Sequence, residues 1–254
     1  MDNLGIGVMT SIRLKDRYES CKSTWLKDFD NVYLFGGNIP DENLIPIVEA
    51  GEDWASAFLK QQLGLKYMYN HNPNYDWYSI SGCDNVLFKE NAIRHLSNYN
   101  PNDDLLISQL CGTWCDSPRL YESGIVGEHS FTAIGGGASF FISNSLMKKC
   151  SEIIDEFNEH WTALSSRSYG CSDVALSLMV KRYFGVNPTE SKYMFGQHPK
   201  FYEDIMHNED SKNRIWYNTE ESRNFAPFMA DAVSFHYIKP DEMESIYKKY
   251  SNKK

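Results

Sequence analysis

Residues 76–88 read DWYSISGCDNVLF, in which an apolar and aromatic run ends at one acidic residue, Asp84. The run predicts a buried strand, and open α/β sheets bind their ligands beyond the carboxyl ends of such strands. A carboxylate at that position can bind a divalent metal, which can in turn hold a diphosphate. The alternative is that Asp84 and Asn85 cap the helix that follows the strand.

The composition is that of a globular protein with an acidic balance. The 254 residues include 34 Asp and Glu against 25 Lys and Arg, which gives a formal net charge of -9. This charge argues against general binding of a nucleic-acid backbone, so no nucleic-acid partner is expected. A polyanionic ligand would have to be held locally, by a metal or by a few basic side chains.

The cysteines and the N-terminus indicate the cellular compartment that we expect for this protein. Of the six cysteines, only Cys111 and Cys115 lie close together in the sequence, a spacing that favours free thiols over a zinc site. Residues 1–10 predict a first core strand and not a signal peptide. No apolar run has the length of a membrane span. We therefore expect a cytoplasmic, soluble protein without a transmembrane segment, unless a targeting segment was removed.

Strand-like and helix-like segments alternate along the first half of the chain, which predicts a layered α/β domain. The helix expected over 53–69 carries Trp54, Phe58, Leu63 and Tyr67 on its apolar face. No internal repeat or low-complexity linker interrupts the chain, so residues 1–254 are predicted to form a single domain. The expected strands are 5–10, 31–35, 77–81, 105–110, 139–142 and 232–237, and a further helix is expected over 16–27.

Two amphipathic helices are predicted in the second half. Asn144 is the expected N-cap of the first, and Ser172 is the expected N-cap of the second, which Gly185 ends. Residues 191–225 mix aromatic and charged side chains, which suggests an irregular lid or acceptor-binding region. The apolar face of the first helix is formed by Met147, Cys150, Ile154, Phe157 and Trp161.

Several separated segments together resemble one enzyme family. They are Arg13 with 23–25, then 64–69, 76–84, 135–143, 171–174 and 233–237, the last of which reads VSFHY. In this order, over about residues 5 to 245, the chain resembles the Fringe and core-1 galactosyltransferase group, which are inverting β-1,3-glycosyltransferases of family 31. No segment is specific alone, and the shared order carries the resemblance.

The resemblance implies a GT-A glycosyltransferase fold, a Rossmann-like mixed sheet flanked by helices that binds a UDP-sugar through Mn²⁺. The nucleotide-binding half would span about 1–130 and the acceptor-binding half about 131–245. Family members have three consecutive acids at the strand end, where this chain has Gly82, Cys83 and Asp84. Asp84 matches the metal-contacting acid, and His236 matches the second metal ligand. The alternative for His236 is a hydrogen-bonded core histidine.

The resemblance also assigns the general base to Asp173, although an acid in a first helical turn is also favoured by the helix dipole. Glu128, Glu203 and Asp204 are the next candidates. Residues 135–137 are three consecutive glycines, which would let the backbone approach the donor sugar. An ordinary tight turn is the alternative. The expected donor contacts are Thr10, Arg13, Lys60, Cys83, Gly136 and Gly137.

The resemblance implies an enzyme that transfers galactose or an N-acetylhexosamine from a UDP-sugar to a glycan hydroxyl with inversion. Two alternatives remain open. One is a metal-independent enzyme in which basic side chains replace the ion. The other is a glycan-binding or nucleotide-sugar-binding module that kept the fold and lost turnover, which the missing acids at Gly82 and Cys83 make reasonable.

Overall fold

The computed structural model describes residues 3–115, 130–164, 171–207 and 224–251. Strands and helices alternate through these ranges, as the sequence predicts. The strands are β1 Leu4–Met9, β2 Val32–Gly36, β3 Ile45–Pro46, β4 Trp77–Gly82, β5 Val86–Leu87, β6 Leu106–Ser108, β7 Leu110–Cys115, β8 Ser130–Ile134, β9 Phe141–Ser143, β10 Thr189–Glu190, β11 Met194–Phe195 and β12 Ser234–Phe235. The helices are α1 Lys15–Ser23, α2 Ala57–His71, α3 Lys89–Leu96, α4 Asn144–Leu164, α5 Ser172–Phe184, α6 Pro199–His207 and α7 Pro240–Ser251.

A seven-stranded mixed sheet forms the centre, in the order β10-β6-β9-β4-β1-β2-β3. Strands β3, β2, β1 and β4 are parallel, and β9 runs antiparallel to both β4 and β6. The carboxyl ends of four parallel strands therefore meet at one edge, where open α/β sheets bind ligands. The α/β fold class predicted from the sequence is confirmed.

Each face of the sheet packs against its own hydrophobic core. In β1 the side chains of Leu4, Ile6 and Val8 join the first core, which includes residues of α1, α3 and α7. In β4, Tyr78 and Ile80 join the second core, which includes residues of α2, α4 and α5. Burial on both faces explains why β1 and β4 read as apolar runs in the sequence.

The register of the strands positions the candidate site. Met9 of β1 pairs with Gly82 of β4, so the segments after both strands leave the sheet side by side. A smaller sheet, β11-β12-β5, pairs β12 antiparallel to β5, with Phe235 opposite Val86. This pairing brings the residues that follow β12 to the residues that precede β5.

The helices agree with the sequence in their buried faces and differ in their caps. All five residues of the face predicted for α4 are fully buried, and Gly185 ends α5 with φ 69°. The prediction of Asn144 as an N-cap is wrong, because its amide donates to Pro73 and Tyr75 carbonyls while the Ser143 hydroxyl accepts from the Leu146 N–H at 3.3 Å. Ser172 is likewise the first helical residue of α5 and not its cap.

The face predicted for α2 is wrong in part. The helix begins at Ala57, and Trp54 lies before it with 70% of its surface exposed. Phe58 is buried as expected, while the rest of the buried face includes Leu65 and Met68 instead of Tyr67. Among the described helices, none is long and apolar enough to cross a membrane.

Candidate functional site

Asp84 and His236 meet at the carboxyl edge of the sheet. Asp84 lies in the short connection between β4 and β5, and His236 follows β12, the strand that pairs with β5. The Ile238 N–H donates to the Asp84 carbonyl at 2.9 Å, which fixes the two segments together. His236 Nε2 lies 3.5 Å from Asp84 Oδ1. Two residues separated by 152 positions in the sequence therefore form one polar pair.

Two neighbours lie close to Nδ1 of the His236 ring. Its Nδ1 lies 3.3 Å from the Gly196 carbonyl oxygen, which can only accept, so the proton belongs on Nδ1 in this contact. The other ring nitrogen, Nε2, faces Asp84. The second neighbour is Gly137, on which an added Cβ would lie 2.2 Å from His236 Nδ1. The absence of a side chain at Gly137 thus makes room for the imidazole.

Arg17 is a site residue that the sequence analysis missed. Its Nη1 lies 3.3 Å from Asp84 Oδ2. Burial alone would raise the pKa of Asp84, but the hydrogen bond and charge of His236 and the charge of Arg17 offset it, and the pKa is lowered overall. Arg17 is one helical turn beyond Arg13, the predicted residue, whose side chain is exposed. An arginine one turn further along α1 is the signal that could have identified it.

The donor atoms of Asp84 and His236 suit a shared divalent ion. Two atoms bound to one ion at about 2.0–2.3 Å each lie roughly 3 to 3.5 Å apart, and their separation here is 3.5 Å. A carbonyl acceptor on the other ring nitrogen is typical of a metal-binding histidine. Within the described parts of the chain, however, no group of three or more His, Cys, Asp or Glu side chains lies close enough to hold a metal. The remaining ligands would have to come from the substrate or water.

The turn Gly136–Ala138 is hydrogen-bonded to the two chain segments that carry Asp84 and His236. The Asn85 amide donates to the Gly137 carbonyl at 2.6 Å, and the Ser234 hydroxyl donates to the Ala138 carbonyl. Asn85 therefore holds the turn and does not cap α3, whose N-cap position is Phe88 without a side-chain bond. The alternative reading of Asp84 and Asn85 as a helix cap is wrong.

Asp173 is the second residue of α5, which packs against the Gly136–Ala138 turn. Its Oδ1 accepts from the Val174 N–H at 2.9 Å, and the carboxylate is partly exposed. A position in the first turn of a helix favours the negative charge. The same turn thus contacts the helix that bears Asp173 and the ring of His236.

Three of the residues predicted to contact the sugar donor, Thr10, Lys60 and Cys83, lie close together beneath this edge of the sheet. Lys60 of α2 is 3% exposed, and its Nζ donates to the Thr10 carbonyl at 2.8 Å. Burial lowers the pKa of Lys60, although the carboxylates of Glu52 and Asp53 oppose this. Cys83 is also 3% exposed, and burial raises the pKa of its thiol.

Glu52 is a second residue that the sequence analysis missed. Its carboxylate accepts from the Ile12 N–H at 2.8 Å and from the Gly37 N–H at 2.7 Å. It thereby joins the loops that follow β1 and β2, close to the Lys60 ammonium. The sequence offers no motif for this contact.

The alternative candidates for the base are placed differently. Glu203 accepts hydrogen bonds from Lys249 and Tyr250, and Asp204 is exposed on α6. Glu128 lies outside the described residues. Of the predicted residues, the structure brings Asp84, His236 and Gly137 into contact and places the helix of Asp173 beside them. Arg13 is exposed, and its N–H donates to the Ser11 hydroxyl at 3.2 Å.

Comparisons with known proteins identify the fold and the family. A comparison with curated protein sequences gives no significant match. Among solved structures, the glycosyltransferase GlyE of Streptococcus pneumoniae TIGR4 superposes with a TM-score of 0.51 at 12% identity, covering 98% of this chain and 60% of that chain. The WbbM bifunctional glycosyltransferase gives 0.52 at 8% identity, covering 98% and 50%. A glycosyltransferase involved in glycosylation of the major capsid of PBCV-1 gives 0.47 at 12% identity, covering 96% and 99%.

These likenesses show the GT-A glycosyltransferase fold, which the sequence analysis predicted. The family is shown by the sequence itself, because the family model described as Fringe-like matches residues 1–249. The chain therefore belongs to the Fringe-like family of glycosyltransferases.

Proposed function

We propose that this enzyme transfers galactose or an N-acetylhexosamine from a UDP-sugar to a glycan hydroxyl with inversion at the anomeric carbon. The observation that carries the proposal is the pairing of Asp84 with His236 at the carboxyl edge of the sheet, 3.5 Å apart, with His236 Nδ1 lying 3.3 Å from the Gly196 carbonyl oxygen. Asp173 and His236 together favour an enzyme, because a pure binding module needs neither residue.

Asp84 and His236 would hold Mn²⁺, and the diphosphate of the donor would supply further ligands. When bound, the ion would stabilise the negative charge that develops on the departing UDP. Arg17 provides a second positive charge at this position, because its guanidinium reaches the Asp84 carboxylate. A protein with a net charge of -9 needs such local cations to bind a diphosphate.

Asp173 would act as general base. One carboxylate oxygen takes the proton of the acceptor hydroxyl, the hydroxyl oxygen forms a bond to the anomeric carbon, and the bond between that carbon and the UDP oxygen breaks. A single displacement of this kind inverts the configuration. The position of Asp173 in the first turn of α5 supports the role, since the helix dipole stabilises the ionised carboxylate before the proton is transferred.

The other predicted residues would surround the bound UDP-sugar. The buried ammonium of Lys60 holds the segment after β1 through the Thr10 carbonyl, and Cys83 occupies the adjacent strand end. Gly136 and Gly137 would border the donor sugar, while Arg13 would contact the nucleotide from the surface. We assign the nucleotide to about residues 1–130 and the acceptor to about 131–245 of one domain.

A metal-independent enzyme is the second candidate, and the Arg17–Asp84 contact favours it. If the guanidinium alone neutralises the diphosphate, transfer would proceed in the presence of a chelator and would depend on Arg17. A panel of UDP-galactose, UDP-N-acetylglucosamine, UDP-N-acetylgalactosamine and UDP-glucose, assayed for UDP release with Mn²⁺ or with EDTA, separates the two candidates.

The matched variants are His236→Ala and His71→Ala. His71 is a histidine near the C-terminal end of α2, away from the site. The proposal predicts Mn²⁺-stimulated release that His236→Ala abolishes and His71→Ala preserves. Equal release with EDTA would support the Arg17 alternative. UDP binding without transfer to any acceptor would support the binding module.

A further inference from the structure

Tyr237 has a backbone conformation that a bulky residue rarely adopts. Its φ is 59°, and the only other non-glycine residue with positive φ in the described ranges is Ser139. This left-handed conformation is strained for an L-residue with a large side chain, and glycine would relieve the strain. Non-glycine residues in such conformations cluster at functional sites, where the surroundings impose the conformation.

Burial does not explain the strain, because Tyr237 is 53% exposed. One face of its ring is covered by the His236 imidazole, with centroids 3.8 Å apart and an interplanar angle of 27°. The conformation thus places an aromatic ring flat on the candidate metal ligand and leaves much of the ring open to solvent.

The Gly136–Ala138 turn connects this ring pair with the proposed base, because Gly137 lies against the His236 ring and α5, which bears Asp173, packs against the same turn. The negative charges of Asp84 and Asp173 both act on the phenol and, together with burial, raise its pKa. Asp84 belongs to the proposed diphosphate end, and Asp173 is the proposed base. A ligand on the exposed ring face would therefore lie next to the candidate metal ligand and at the turn against which the helix of Asp173 packs.

We propose that the exposed face of Tyr237 binds the pyranose ring of the acceptor glycan. A pyranose has an apolar face of C–H groups that suits an aromatic ring, and the phenol can donate to or accept from its hydroxyl groups. The base must contact a hydroxyl of the same sugar, and Tyr237 offers it an exposed aromatic face stacked on His236. This inference rests on the proposed function, because it assigns the acceptor subsite of that reaction.

Tyr67 provides a matched control. It is 40% exposed, and its ring is parallel to that of His71, with an interplanar angle of 7° and centroids 6.1 Å apart. It lies in the C-terminal part of α2, while Lys60 near the start of the same helix reaches the site edge. Tyr67→Ala therefore removes an exposed, histidine-stacked tyrosine away from the site.

The experiment compares the parent with Tyr237→Gly, Tyr237→Ala and Tyr67→Ala. The probes are the methyl glycosides of galactose, glucose, N-acetylglucosamine and N-acetylgalactosamine, whose binding to the UDP-loaded protein is followed by saturation-transfer NMR. UDP affinity is measured by calorimetry and the thermal midpoint by circular dichroism. Where the donor panel identifies a competent donor, KM for the acceptor is added.

We expect at least one glycoside to bind the parent and Tyr67→Ala, and both Tyr237 variants to weaken it by about tenfold or more, which is roughly the worth of one aromatic stacking contact. UDP affinity should stay within about twofold. Tyr237→Gly should unfold at a higher temperature than Tyr237→Ala, because glycine adopts the left-handed conformation without strain.

Three results would overturn the inference: parental glycoside binding by Tyr237→Gly, no binding of any glycoside by the parent, or a loss of UDP affinity as large as the loss of glycoside affinity. The last result would assign the ring to the donor. Failure of the proposed function is a separate outcome, since glycoside and UDP binding are measured without turnover. If the parent binds both ligands and transfers no sugar, glycoside binding at Tyr237 would stand and the proposed transferase activity would be refuted.

Discussion

Replacing Gly137 by alanine tests whether the contact with His236 organises the site. The new Cβ would lie 2.2 Å from Nδ1 and 2.5 Å from Cε1 of His236, whereas ordinary contacts begin at 3.4 Å. The ring or the turn must therefore move by more than 1 Å. The turn is tied by the Asn85 amide, and the ring by the Gly196 carbonyl. Overpacking of this kind costs about 1–3 kcal/mol of unfolding free energy.

For a chain of this size, about 1–3 kcal/mol corresponds to a fall of roughly 2–12 °C in the thermal midpoint. The functional effect should be larger than the loss of stability implies. If the ring moves, the distance between Nε2 and Asp84 Oδ1 increases, and His236 loses the contact of its Nδ1 with the Gly196 carbonyl, which orients it as a metal ligand. Loss of such a contact typically costs about 10–100-fold in metal affinity. We expect Mn²⁺-dependent UDP binding to weaken by this factor.

Two glycine substitutions provide controls. Gly185→Ala meets no atom within 4 Å but has φ 69°, so it should lose about 1–2 kcal/mol through backbone strain and keep parental UDP binding. Gly51→Ala has its nearest contact at 3.6 Å and should change neither property. The assays are thermal unfolding by circular dichroism and calorimetric titration with UDP, each with and without Mn²⁺. A parental midpoint and parental Mn²⁺-dependent binding for Gly137→Ala would refute the reasoning.

Three further substitutions have expected outcomes. Asp173→Asn should keep UDP affinity and reduce transfer by about 10²–10⁴-fold, measured with a competent donor and acceptor; a parental rate would place the base elsewhere. Cys83→Asp puts a carboxylate where the side chain is 3% exposed, so the midpoint of urea unfolding should fall by an amount worth about 2 kcal/mol or more, and an unchanged midpoint would contradict this burial. Burial lowers the pKa of His95 to about 4 from 6.5, so the unfolded state binds more protons between these values, and stability should fall by on the order of 3 kcal/mol from pH 6.5 to pH 4. His95→Gln should flatten that pH dependence, and a parental slope would refute the assignment.

The elements with strong periodicity were predictable because their patterns arise from burial, which acts on every turn or strand. The five buried residues of α4 repeat at helical spacing, and β4 reads as an apolar run because both of its faces are covered. The caps were less predictable. Ser143 and Asn144 are adjacent and are both good capping residues, and only the carbonyl oxygens of Pro73 and Tyr75 decide that the Asn144 amide faces away from the helix.

The sequence by itself determined the fold class, the family, and the residue types of the candidate site, because an acid after an apolar run and the order of the motifs are local features of the chain. Only the tertiary structure decided which of those residues meet. The antiparallel pairing of β12 with β5 brings His236 to Asp84, and the packing of α1 brings Arg17 to the same carboxylate. These are contacts between distant segments, and their geometry depends on strand register and helix packing, which no local pattern specifies.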